Sequence, residues 1–126
     1  MMSVIRVGEE YWLRPIGFVE KAGEVSEICI FSEYHQGLTA VEDYDKLMIL
    51  FWLHLRDNPK DRSKLMTGRR RLEKEGYRGV FATHSPYRPN PIGVTVVELV
   101  RVENGRLYVK GFDAYQGTPI IDIKSG

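Results

Sequence analysis

At 126 residues the chain is long enough for one domain with a real core. Its 43% hydrophobic and 28% charged residues are those of a soluble globular protein and argue against disorder. Cys29 is the single cysteine, which excludes an internal disulfide and a cysteine-rich zinc site and fits the reducing, cytoplasmic compartment. Met1 to Gly8 lacks the apolar core of a signal peptide, and the longest apolar run, Leu47 to Leu53, falls far short of a membrane span.

In chain order the pattern is rich in strands. Tyr11 to Arg14 alternates only loosely, whereas Pro15 to Val19 reads as a short strand entered by a proline. Ser26 to Phe31 alternates well and puts Ile28 and Ile30 on one face. Thr39 to Lys46 reads as a short helix, with Thr39 as N-cap and Glu42 and Asp43 in its first turn. Leu47 to Leu55 reads as a buried strand with His54 near its end. Arg56 to Lys64 is a polar loop with a turn at Asn58-Pro59, and Leu65 to Arg78 is ambiguous. Gly79 to Thr83 is expected as a strand, Gly93 to Glu103 as a long one. Asn104-Gly105 then makes a hairpin turn into Arg106 to Phe112. Thr118 to Ile123 is a last short strand. The expected fold is a single domain over 1–126: mostly β, a small antiparallel closed or half-closed barrel with one or two short helices.

Charge is uneven along the chain. Arg56 to Arg88 holds ten Lys/Arg against four acids, a local excess of +6 in a chain of net +1. That points to a basic face for a polyanion, densest at Arg69, Arg70 and Arg71. Three adjacent arginines also occur on ordinary solvated loops.

Within the same region, Pro86 to Gly93 (P-Y-R-P-N-P-I-G) packs three prolines, an arginine and an asparagine into eight residues. Each proline fixes its own φ, and the residue before it is pushed to extended geometry. Ser85, Arg88 and Asn90 all precede prolines, so this stretch holds Arg88 and Asn90 in place. Stiffness of that kind suits a ligand site, since less ordering remains on binding. It equally describes a stiff turn between two strands.

No G-x-G-x-x-G, Walker or H-E-x-x-H signature is present. His35, His54 and His84 are widely separated, and no metal site is expected. Asp113 follows an apolar stretch, so its carboxylate is expected to be partly desolvated with a raised pKa, unless it simply makes a turn before Gly117. Gly117-Thr118-Pro119 and Asp122 form a second tight turn.

The chain resembles the tRNA methyltransferase O family, the TsaA-like proteins, from about Arg14 to Lys124. The likeness rests on Pro15-Ile16-Gly17, Gly79 to Thr83, Ser85-Pro86, Arg88 to Gly93, Asp113, Gly117 to Pro119 and Asp122 to Lys124. It implies a small β-barrel homodimer that binds S-adenosylmethionine without a Rossmann fold. It also implies methylation of N6 of threonylcarbamoyladenosine beside the tRNA anticodon. Carried across by motif, the cofactor positions are His54, Leu55, His84, Val94, Phe112, Asp113, Ala114 and Tyr115. His84 stands where the family usually has arginine, Gln116 where it usually has aspartate, and no P-R-Q loop lies between Val19 and Ser26. No counterpart of the extra C-terminal domain of some bacterial members is expected beyond Gly126.

Under that resemblance, Asp113, His54 or His84 takes the proton from N6, Asn90 and Arg88 orient the ligands, and Arg69 to Arg71 with Arg88 hold tRNA. Two other readings fit the same residues. One is a non-catalytic RNA- or nucleotide-binding barrel using the basic strip with Tyr77, Tyr87 and Tyr115. The other is a methyltransferase of this family with a different acceptor.

Overall fold

The computed structural model describes residues 7–68 and 77–126. Strands β1 (Gly17–Lys21), β2 (Val25–Ile30), β3 (Lys46–Trp52), β6 (Ile92–Glu103), β7 (Arg106–Lys110) and β8 (Pro119–Ser125) close into an antiparallel barrel in the order β1-β2-β7-β6-β3-β8. Closure leaves these strands no free edge, which removes the usual route to strand-to-strand aggregation. A separate two-stranded ribbon, β4 (Met66–Gly68) and β5 (Tyr77–Gly79), lies between β3 and β6 in sequence.

Alternation along each strand builds the core. Val19, Ile28, Ile30, Leu47, Ile49, Val97, Leu107, Val109 and Ile120 point inward and are almost fully buried, joined by Phe112 and Ala114 from the β7–β8 loop. Among the described residues the two buried polar side chains keep partners: Ser26 Oγ donates to Phe112 O (3.2 Å), and Thr118 Oγ1 to Tyr115 O (2.6 Å).

The Pro15-Ile16-Gly17 triplet has a packing reason. A Cβ on Gly17 would run into the backbone carbonyl of Cys29 on the paired strand, so β1 approaches β2 this closely only with glycine there. At the β6–β7 turn, Asn104 (φ 50°) and Gly105 (φ 74°) are both left-handed, as a type I′ hairpin requires. The long β6 serves two neighbours. Its first half pairs with β3 from Trp52↔Ile92 to Lys46↔Glu98, and its second half pairs with β7 from Glu98↔Lys110 to Glu103↔Arg106 across an irregularity between Leu99 and Arg101.

Three expectations fail locally. Thr39 to Lys46 is not a helix. Two 3₁₀ segments, Ser32–Leu38 and Val41–Asp43, are separated by Ala40 at φ 65°, and β3 already begins at Lys46. Thr39 is no N-cap, because its hydroxyl donates back to Gln36 O at 2.7 Å and closes the first segment. Gly79 to Thr83 is strand only to Gly79; Val80–Ala82 is a 3₁₀ turn, drawn tight by Thr83 N and Oγ1 both donating to Val80 O. Arg56 to Lys64 is not all loop. Asn58 Oδ1 accepts from Asp61 N at 2.9 Å and Pro59 takes the first position of a one-turn helix, α1 (Pro59–Arg62). The ambiguous stretch yields the β4–β5 ribbon at its two ends. Among the described residues no helix is long and apolar enough to cross a membrane.

Candidate functional site

One end of the barrel gathers the segments that the sequence singles out. There β3 ends at Trp52, β6 begins at Ile92 opposite it, and β8 begins beside Phe51 through the Phe51↔Ile120 pair. β7 runs antiparallel to β6 and so delivers Phe112 to Tyr115 to the same end. The Phe112 ring meets the Phe51 ring edge-on, 5.2 Å between centroids at 71°.

The proline loop lies over this end and is coiled around Arg88. The Arg88 guanidinium donates to Thr83 O (3.1 Å), Ser85 O (3.0 Å) and Val80 O (3.1 Å). Hydroxyls finish the inner turns: Ser85 N donates to Thr83 Oγ1 (3.1 Å) and Tyr87 N to Ser85 Oγ (3.2 Å). Charge-assisted bonds to three carbonyls make Arg88 the internal brace of the loop, and among the described residues two of its five N–H groups have no protein acceptor.

The segment after β3 clamps the loop from outside. Leu53 N donates to Pro91 O at 2.7 Å, Arg56 stacks over the Tyr87 ring at 4.8 Å, and Arg62 Nε donates to Pro89 O at 2.7 Å. Asp57 accepts from Trp52 Nε1 (3.1 Å) and Arg62 Nη1 (2.9 Å). Those bonds, the Trp52 one foremost, hold the Asp57 carboxyl below the usual carboxylate range.

Between loop and barrel wall lies a cavity of about 440 Å³, lined by apolar Phe51, Phe81, Ile92 and Val94 and by polar Thr83, His84, Arg88 and Asn90. Its size and its mix of apolar walls with a few convergent polar groups suit a small ligand with an aromatic part and a polar tail. Gly93 sits in the floor, where a Cβ would stand 2.5 Å from the Phe51 ring.

Of the sequence candidates, His84, Val94, Arg88 and Asn90 meet in this cavity. His54 and Leu55 stand on the 3₁₀ turn that follows Leu53, beside the cavity rather than in its lining. Phe112 and Ala114 are buried, whereas Asp113 and Tyr115 are exposed on the β7–β8 loop. The expected desolvation of Asp113 therefore does not occur: its side chain faces water, because the inward positions of that loop belong to Phe112 and Ala114. Arg69, Arg70 and Arg71 lie outside the described residues. Among the described residues no three His, Cys, Asp or Glu side chains gather as a metal-binding group.

Reading the sequence missed Phe51, Phe81 and Arg62. Phe81 is 77% exposed at the cavity edge. Within the Gly79 to Thr83 segment nothing in the sequence separates Phe81 from the other apolar residues. Arg62 registers in the sequence only as one basic residue among ten.

The chain is similar to known proteins along most of its length. Residues 15–125 match the family model of the tRNA-methyltransferase O N-terminal domain. A probable S-adenosyl-L-methionine-binding protein of Methanocaldococcus jannaschii is 40% identical over 114 residues, covering 90% of each chain. The human tRNA (adenine(37)-N6)-methyltransferase is 38% identical over 95 residues, which span 75% of this chain and 21% of that protein. A crystal structure of TrmO from Pseudomonas aeruginosa superimposes with a TM-score of 0.69 at 25% identity, over 94% of this chain and 55% of the other.

Replacing Gly93 by Ala would force the Phe51 ring off Phe112 and into the cavity. The expected cost is about 1–3 kcal/mol of stability, with ligand affinity falling as well. Thermal melts and ligand titration of Gly93→Ala check both, and an unchanged melt would show that the ring yields freely.

Proposed function

We propose that this chain, which belongs to the tRNA-methyltransferase O family, methylates N6 of threonylcarbamoyladenosine next to the tRNA anticodon. The coarse reading, an S-adenosylmethionine-dependent tRNA methyltransferase, rests on the family together with one relative named for S-adenosyl-L-methionine binding and others named tRNA (adenine(37)-N6)-methyltransferases. The choice of threonylcarbamoyladenosine is the proposal. The observation that supports the reading on the cofactor side is the cavity, walled by the proline loop and by Gly93 at one end of the barrel; the acceptor follows from the family resemblance.

The lining fits the cofactor's chemistry. Phe51 and Phe81 offer aromatic surface to a purine and to a sulfonium. His84, Asn90, Thr83 and the remaining Arg88 donors suit hydroxyl and carboxylate oxygens. When bound, S-adenosylmethionine supplies an already activated methyl group, so the protein's share is position and electrostatics. The acceptor nitrogen is urea-like and a poor nucleophile, and a positioned base that removes its proton contributes typically about 10²–10⁴-fold. Asp113 is proposed as that base, on the loop that Phe112 anchors against Phe51; His84 and His54 are its rivals. Asn90 and Arg88 orient the bound groups, Arg88 by shaping the loop.

The basic strip, Arg69 to Arg71 above all, is proposed to hold the anticodon stem-loop through phosphates. A second copy of the chain is proposed to cover the outer face of β6. There Ile92, Val94, Val96 and Val100 alternate outward at 37–49% exposure, and the first two reach the cavity.

Three outcomes are expected. Labelled S-adenosylmethionine should methylate tRNA only when it carries threonylcarbamoyladenosine, read as nucleosides by mass spectrometry, and Asp113→Ala should slow turnover by about 10²–10⁴-fold. Cofactor binding without that product would point to another acceptor; full turnover in Asp113→Ala would hand the proton to a histidine. For tRNA binding, an Arg69/Arg70/Arg71 triple alanine should flatten the slope of log K against log salt by about 2–3, and an unchanged slope would remove those arginines from the interface. In sedimentation the chain should run at twice its 14.6 kDa and Val96→Glu at the monomer mass; a monomeric wild type would sink the dimer.

A further inference from the structure

Arg62 lies outside the cavity lining, yet its guanidinium is spent on the wall of that cavity. Nε donates to Pro89 O (2.7 Å), Nη1 to Asp57 Oδ1 (2.9 Å), and Nη2 reaches Asn90 Oδ1 (3.4 Å). Asp57 is itself held by Trp52 Nε1 at 3.1 Å, and the Arg62 guanidinium sits 5.9 Å from the Trp52 ring. The series Trp52–Asp57–Arg62–Asn90 thus runs from the last residue of β3, through α1, to the middle proline-loop residue of the cavity.

We propose that Arg62 is a positioning residue that sets the direction of the Asn90 amide, turning its NH₂ group toward the ligand as a donor. The reason lies in the donor inventory. A guanidinium has only N–H donors, so the atom of Asn90 that faces it is the oxygen. With the oxygen engaged, the two N–H groups are left for the cavity. The neighbouring bond to Pro89 O fixes the peptide just before Asn90, and the prolines on either side of Asn90 limit its backbone. Holding the loop in place would need only the Pro89 bond; the third arm, on the side chain, adds orientation. A lysine could keep the charge but could not span Asp57, Pro89 and Asn90 at once. That the recipient is an oxygen or nitrogen acceptor of S-adenosylmethionine rests on the function proposed above, whereas the orientation itself does not.

The test separates the two. In the ¹⁵N-labelled chain, the Asn90 side-chain NH₂ pair is assigned by its loss in Asn90→Asp and then followed in Arg62→Lys and Arg62→Gln. The pair is expected to move to the position of a freely rotating asparagine in both variants, while the backbone amides of β3 and β6 stay put. S-adenosylmethionine affinity should fall about 2–10-fold, the worth of one hydrogen bond. It should fall as far in Asn90→Ala, and no further in the double variant. KM should carry most of the change. An Asn90 pair that ignores both Arg62 variants overturns the proposal, as do losses that multiply in the double variant or an Arg62→Lys that retains full affinity. If the wild type takes up no S-adenosylmethionine while the Asn90 pair still follows Arg62, the positioning role stands and the function proposed above falls.

Discussion

The site depends on how the two ends of segment 53–91 are brought together. The β3–β6 ladder ends at Trp52↔Ile92, and one further bond, Leu53 N to Pro91 O at 2.7 Å, extends it past the strands. That neck fixes where the excursion leaves the barrel and where it returns. Closing a loop of such length costs entropy that grows only slowly with length, so a short, well-paired neck can hold a long excursion. The Arg56–Tyr87 stack and the Arg62–Pro89 bond then tie the outgoing and incoming arms together just above it. Removing the neck would leave both arms with no common origin, and the cavity between loop and wall would have no fixed shape.

Above the neck, rigidity comes from two sources that reinforce each other. Prolines restrict the backbone of 86–91, and Arg88 draws the carbonyls of 80–85 inward. A guanidinium wrapped in main-chain oxygens would be costly if bare, but here each bonded N–H has an acceptor and the ion keeps contact with solvent. Below the neck, Phe51 and Phe112 pack edge-on and join the floor of the cavity to the barrel core. The cavity floor on β3 and the β7–β8 loop therefore meet at an aromatic contact, with Gly93 leaving room for it.

The barrel was legible in the sequence because alternation is a local signal that tertiary contacts then reward. Ile28 with Ile30, and Asn104 with Gly105, announce their roles within a few residues. The failures share a cause. Thr39 to Lys46 has the composition of a helix start, but Thr39 bonds backward to Gln36 and Ala40 turns left-handed. Asp113 follows an apolar run, but burial passes to the residues on either side of it. The proline motif pointed to the cavity described above, and the family resemblance to S-adenosylmethionine as cofactor. Neither could disclose that Arg88 turns its donors onto its own loop, or that Arg62 and Asn90 meet across 28 positions of chain. Such partnerships are settled by tertiary geometry and leave no periodicity.

The connectivity of the neck bears on how such a protein can change over generations. β3 and β6 are antiparallel neighbours, so a turn of two residues would join them as well as segment 53–91 does. The excursion is thus an elaborated hairpin loop, and ten of the chain's eighteen basic residues fall in it. Its sequence and length can drift while the core residues of the barrel remain untouched, which makes the loop side of the cavity and the fold separately heritable traits. A position such as His84 belongs to the part outside the barrel, and Gly17, pressed against the Cys29 carbonyl, to the ladder that admits no side chain there.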